Sequence, residues 1–149
     1  EGTNIMPGFG LNGETRFIDG RVAIRKSIRA GRNIIGEPSV VLLRTELLRS
    51  CGNFENPEFT PDIKMWFKIL EKSNLIYINK TMASYRVSAK SSSTAMSKTQ
   101  GSQFVSLIRE SQKNKEISLG RFSLRVGIIR SHLNSRLRRL VTYLASLRR

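Results

Sequence analysis

From Phe122 to Leu147 an apolar residue returns every three or four positions: Phe122, Val126, Ile129, Leu133, Leu137, Leu140, Leu144 and Leu147. At about 100° per residue these fall within a stripe of about 80°, a spacing that only an α-helix turns into one continuous face. The end of the chain is thereby committed to a long amphipathic helix, and a strand-built C-terminus is excluded. Arg125, Arg130, Arg136 and Arg148 flank the stripe, while Arg138, Arg139 and Arg149 lie further round. The stripe has two readings: a seat on the rest of the fold with the Arg residues merely solvated, or a seat on an anionic membrane surface.

Charge repeats this asymmetry. The 149 residues carry 26 Lys+Arg against 11 Asp+Glu, a formal net charge of +15. From Lys113 to the end there are ten basic residues and one acid, Glu116. The length suits one domain with one core, and 39% hydrophobic residues are enough to build it. Cys51 stands alone, so an internal disulfide is excluded, and no Cys/His cluster offers a zinc site. That pattern fits a reducing compartment. The opening EGTNIMPGFG has neither the basic nor the apolar region of a signal peptide and does not begin with Met, so the chain reads as a piece of a longer one. Its longest apolar runs, such as Val40 to Leu43, fall far short of the roughly 20 residues needed to span a bilayer.

The pattern upstream of the tail is mixed α/β. Residues 1 to 20 read as loop with a short strand at Thr15 to Asp19. Ile24 and Ile28, with Arg25, Lys26 and Arg29 opposite, predict a helix from Val22 to Ala30 that stops at Gly31. Pro38 introduces SVVLLR, whose β-branched and Leu content predicts a buried strand. Thr45 is placed to cap a helix over ELLRSC, with Gly52 just past its end. Thr60-Pro61 is a stronger helix start. That helix runs to about Asn74 and puts Ile63, Trp66, Phe67 and Leu70 on one face. LIYI (75 to 78) and MASYRV (82 to 87) read as two short strands, and the Ser-rich stretch from Ser88 to Ser102 as a loop.

Few residues offer chemistry. Gly8, Gly10 and Gly13 match the letters GxGxxG, but a Pro-containing loop precedes them and a strand-like ETRFID follows, so the strand-turn-helix needed for a dinucleotide is missing. Asp62 occupies the second position of the Pro-started helix, where the positive helix end favours an ionised carboxylate able to accept a proton. Plain helix stabilisation predicts an acid there too. Glu37, in NIIGEPS, is a polar-ligand candidate or an ordinary loop residue. His132 reads as a surface or interfacial histidine, and Trp66 more as core than as a sugar-stacking platform.

Four blocks in order give these residues a context: NIIGEPSVVLLR (33 to 44), ELLRSCGNFENPEF (46 to 59), TPDIKMWFKIL (60 to 70) and LIYINKTMASYRVS (75 to 88). Together they resemble the C-terminal half of family 2 glycosyltransferases. The resemblance implies an α/β fold, with a partial GT-A-like mixed sheet and packed helices followed by the C-terminal amphipathic helix. It divides the chain into an acceptor-side part (1 to 100) and a basic helical region (101 to 149).

By the same resemblance, Asp62 matches the catalytic base of inverting members. Gly36, Glu37, Pro38 and Ser39 match the floor of the active-site cleft, Arg86 matches the Arg of a closing segment, and Trp66 lies on the substrate side. A divalent metal, Mg²⁺ or Mn²⁺, is implied for the parent enzyme. Ser88 stands where many members have a metal-binding His, and no D-x-D or donor-binding half is present.

The expectation is therefore part of an enzyme that takes a nucleotide-sugar donor and a glycan or lipid-linked acceptor. It would be inactive by itself, and cytoplasmic or peripheral on the inner face of the cell membrane, in cell-surface polysaccharide or glycan synthesis. The rival is a basic nucleic-acid-binding module. Against it, the tail after Lys113 interleaves only Phe122 and Tyr143 with its basic residues, and charge alone gives no specific nucleic-acid recognition.

Overall fold

The computed structural model describes residues 11, 13–54, 61–83 and 99–147. The order is β1 (Arg16–Ile18), α1 (Gly20–Ala30), a 3-10 turn at Pro38–Val40, α2 (Thr45–Ser50), α3 (Pro61–Leu70), β2 (Leu75–Tyr77), α4 (Gln100–Ser111) and α5 (Arg121–Leu147). The protein is mixed but helix-rich. Among the described residues its sheet is a two-stranded antiparallel ribbon, with Arg16 opposite Tyr77, Phe17 opposite Ile76 and Ile18 opposite Leu75.

α1 begins where the Asp19 carboxylate accepts the Val22 amide at 3.0 Å, satisfying a donor that the first helical turn cannot. It ends at Gly31, whose φ of 64° lets its amide and that of Arg32 fold back onto the Ile28 and Ser27 carbonyls. Ile24 and Ile28 are fully buried as the spacing predicts. They join Ile18, Ile63, Trp66, Phe67, Leu70, Phe104, Ile108 and Ile117 in one core. Arg21 and Arg25 pin the outer side of α1 to Glu116, through an ion pair of 2.7 Å and a hydrogen bond of 2.8 Å to its carbonyl.

α3 is buried more completely than an amphipathic surface helix, because Met65 and Ile69 are buried beside the predicted face. It stops at Leu70 rather than Asn74. α2 starts with Thr45 already inside the helix and without a side-chain cap. α4 takes the end of the stretch expected as loop and inserts Phe104, Leu107 and Ile108 into the core.

Two expected strands need correction. Residues 39–44 are not a buried strand: Pro38 starts a 3-10 turn, and the chain then runs extended from Val41 with no partner strand among the described residues. Val41 and Leu43 point toward the core while Leu42 is 100% exposed, so the apolar run is split across two sides. In the second case Met82 and Ala83 belong to no strand, and residues 84–87 lie outside the described residues.

The largest surprise is the orientation of α5. The centre of its inner face is small and polar: Gly127, Ser131 and Ser135 are buried, Asn134 is half-buried, and Leu124 and Ile128 pack beside them against the core. A Cβ on Gly127 would collide with the Ile28 carbonyl oxygen, and one on Gly31 would meet the Gly127 carbonyl oxygen at 2.6 Å. α1 and α5 therefore cross backbone to backbone. Asn134 Nδ2 donates to the Ala30 carbonyl at 2.9 Å, and Ser131 Oγ donates to the Gly101 carbonyl of α4 at 3.2 Å. Phe122, Ile129, Leu133, Leu137 and Leu140 of the predicted apolar stripe lie on the other side of the helix, facing solvent.

Candidate functional site

Asn33 organises the site. Its Oδ1 accepts the amides of Ile35 at 2.9 Å and Gly36 at 3.2 Å, and its Nδ2 donates to the Gly36 carbonyl at 3.0 Å. One side chain thus folds residues 33–36 into a tight turn, as an Asn commonly does by mimicking backbone. Gly36 has a φ of 131°, which favours glycine, and a Cβ there would also press on Val40 Cγ2 at 2.7 Å.

α3 receives this turn with two residues one helical turn apart. The buried Trp66 donates Nε1–H to the Gly36 carbonyl at 3.0 Å, and its ring meets Phe54 edge-on with centroids 5.9 Å apart. Half-buried Asp62 accepts a long contact of 3.5 Å from Asn33 Nδ2. The spacing of four between Asp62 and Trp66 puts both on the same side of α3, so the turn is held at one point and meets a carboxylate at the other.

Burial raises the proton affinity of Asp62 above the ordinary carboxylate range. The amides of Ile63 and Asp62 itself, the Asn33 amide and the Arg138 charge counteract part of that rise. Glu37 is exposed at the rim, yet partial dehydration of its carboxyl, followed by the negative charge of Asp62, moves it the same way, with Arg138 again opposing. Glu37 thus feels the charge of Asp62, and both carboxylates feel the positive charge of Arg138.

Of the residues singled out from the sequence, Gly36, Glu37 and Asp62 come together here. Pro38 and Ser39 continue the same loop, exposed. Trp66 is placed differently from a substrate-binding platform: at 3% exposure its ring has no open face for a sugar, and it holds the loop. His132 is exposed on α5 as expected. Arg86 and Ser88 lie outside the described residues, as do Gly8 and Gly10.

Asn33 and Arg138 are the two residues that sequence reasoning passed over. The N-x-x-G spacing before Glu37 was a readable turn signal. Arg138 carried none, since it reaches the carboxylates from 76 positions beyond Asp62 through the docking of α5.

No group of three or more His, Cys, Asp or Glu side chains among the described residues has the arrangement of a metal site. The described residues of the site, two carboxylates with an Asn and an Arg, do not by themselves make a ligand set for a divalent ion. Searches against family models, curated proteins and solved structures find no match to this chain.

Proposed function

We propose that this chain forms the acceptor side of an inverting glycosyltransferase site of GT-A-like architecture, with Asp62 as the general base. The observation that carries the reading is the meeting of two sequence-distant blocks, NIIGE and DIKMW, around one carboxylate of raised proton affinity. In the reaction, Asp62 Oδ takes the proton of an acceptor hydroxyl as that oxygen bonds to the anomeric carbon of a nucleotide sugar. The bond from that carbon to the diphosphate oxygen breaks, and the nucleoside diphosphate leaves with the electron pair. Donor and diphosphate are held by residues other than the described ones.

The exposed apolar side chains support the same reading. Phe17 and Ile76 pair across the ribbon on a solvent-facing side, and Leu42 projects from the unpaired extended segment. A further layer packed on the ribbon would cover such side chains.

The test is sugar transfer by the complete gene product that carries this sequence. Asp62→Asn keeps the shape and removes the proton acceptor, so kcat is expected to fall by at least about 10² with donor affinity unchanged. Turnover like that of the parent would exclude Asp62 as the base.

A further inference from the structure

The outward face of α5 belongs to no described part of the fold. Phe122, Ile129, Leu133, Leu137 and Leu140 are between 49% and 81% exposed, although they are the most regular apolar residues in the sequence. The opposite face is already committed, through Gly127, Ser131 and Ser135, to α1 and α4. The stripe is therefore a second contact surface, about 27 Å long from Phe122 to Leu140 at 1.5 Å per residue. An unbroken apolar surface of that length on a soluble face marks an interaction site.

Charge selects the occupant. α5 contains six Arg residues and no Asp or Glu. Arg125 and Arg136 are exposed along one border of the stripe, and Arg139 is exposed further round on the same side. Two copies of this face would bring Arg rows together with no acid in either helix to neutralise them. A flat anionic surface meets both requirements, because apolar side chains enter the acyl boundary while guanidinium groups reach the headgroups. No described helix is long and apolar enough to cross a membrane, so such a helix would lie in the plane of the surface.

We infer that α5 seats the protein on an anionic lipid surface through its Phe122–Leu140 stripe, independently of whether the Asp62 site transfers sugar. The test is co-sedimentation of the 149-residue chain with vesicles of phosphatidylglycerol and phosphatidylcholine, and with phosphatidylcholine vesicles alone. The parent is expected on the mixed vesicles and only weakly on the neutral ones. Leu133→Glu with Leu140→Glu should lower binding at least about 100-fold at every ionic strength, because charge enters the centre of the apolar face. Its Tm should stay at the parent value, since both side chains are exposed. Arg125→Gln, Arg136→Gln and Arg139→Gln together should weaken binding roughly 100-fold at low salt, about five-fold per charge, and much less at high salt.

Failure of the parent to bind, or equal binding by the double Glu variant, would overturn the inference. So would a fall in Tm of that variant, which would mean the stripe is packed in the free protein. Sedimentation velocity adds a further arm: a dimer of the parent that the double Glu substitution dissolves would assign the face to a second copy. A parent that ignores vesicles yet binds polyglutamate through the stripe would assign it to an acidic polypeptide.

Discussion

Two junctions hold this molecule together, and they are built from opposite materials. Where α1 crosses α5, Gly31 and Gly127 bring backbones into contact, and there is no room for even one additional methyl group. Where the 33–36 turn meets α3, contact is made by directed hydrogen bonds from Asn33 and Trp66, and two carboxylates are left partly dehydrated. The first junction works by shape and has no titratable group at its centre. The second tolerates more variation in volume but carries groups whose ionisation costs stability, which is how functional sites commonly differ from the scaffold that supports them.

The sharpest way to break this comparison is Gly127→Ala. On a free helix surface that change stabilises by about 1 kcal/mol. Here the new Cβ runs into the Ile28 carbonyl oxygen, and a net loss of about 2 kcal/mol or more is expected, several degrees in Tm. Thermal denaturation decides by sign alone: a more stable variant would mean that α1 and α5 do not touch at this point. The matching change at the other junction, Asn33→Ala, removes the bonds to Ile35, Gly36 and Asp62. An expected cost of about 1–2 kcal/mol follows if those groups are partly re-solvated. Denaturant titration of the two variants places them in this order.

The contrast also explains what could be read in advance. Apolar periodicity located α1, α3 and α5 and chose the buried residues of α1 and α3, because those faces dock through large side chains. At α5 periodicity found the helix and left the stripe open between a seat on the fold and a seat on a membrane, and the docking face, centred on Gly127, Ser131 and Ser135 with Leu124 and Ile128 at its side, carries a weaker hydrophobic signal than the stripe. Close backbone approach is chosen by the absence of side chains, and absence leaves little pattern in a sequence. The segment 39–44 failed for a related reason: its composition is that of a strand, but strandhood needs a partner, and none is present among the described residues. At the site, Asp62 and Gly36 were legible from local turn and helix-start chemistry. Arg138 depends on the α1–α5 crossing and so could not be found from its neighbours.

Protonation gives a signed test of the second junction. Asp62 has its folded-state proton affinity raised mainly by burial, so the folded protein binds more protons than the unfolded chain between the ordinary carboxylate range and the raised value. Stability therefore falls as pH rises through that window, and the penalty persists at neutral pH. Asp62→Asn removes it. The variant is expected to be more stable than the parent at pH 7 and to converge with it below about pH 4, where an ordinary Asp is protonated in both states. Equal pH profiles for Tm would show that Asp62 is solvated like a surface carboxylate. Glu37→Gln should shift the profile in the same direction, since burial raises the Glu37 carboxyl too, with the Asp62 charge adding to that rise.

The smallest expected effect distinguishes support from substrate contact at Trp66. Trp66→Phe keeps a large aromatic ring in the core beside Phe54 but deletes the Nε1–H donor to the Gly36 carbonyl. That oxygen retains the Asn33 Nδ2 bond, so the acceptor is not orphaned and the stability cost should be about 1 kcal/mol or less. The 33–36 turn nevertheless loses its anchor on α3, while Asn33 still shapes it from within. Amide hydrogen exchange at Ile35 and Gly36 should accelerate even though global stability hardly moves, since local opening is separable from unfolding. If Trp66 were instead a platform for a sugar, the exchange rates would stay at parental values and only ligand binding would change.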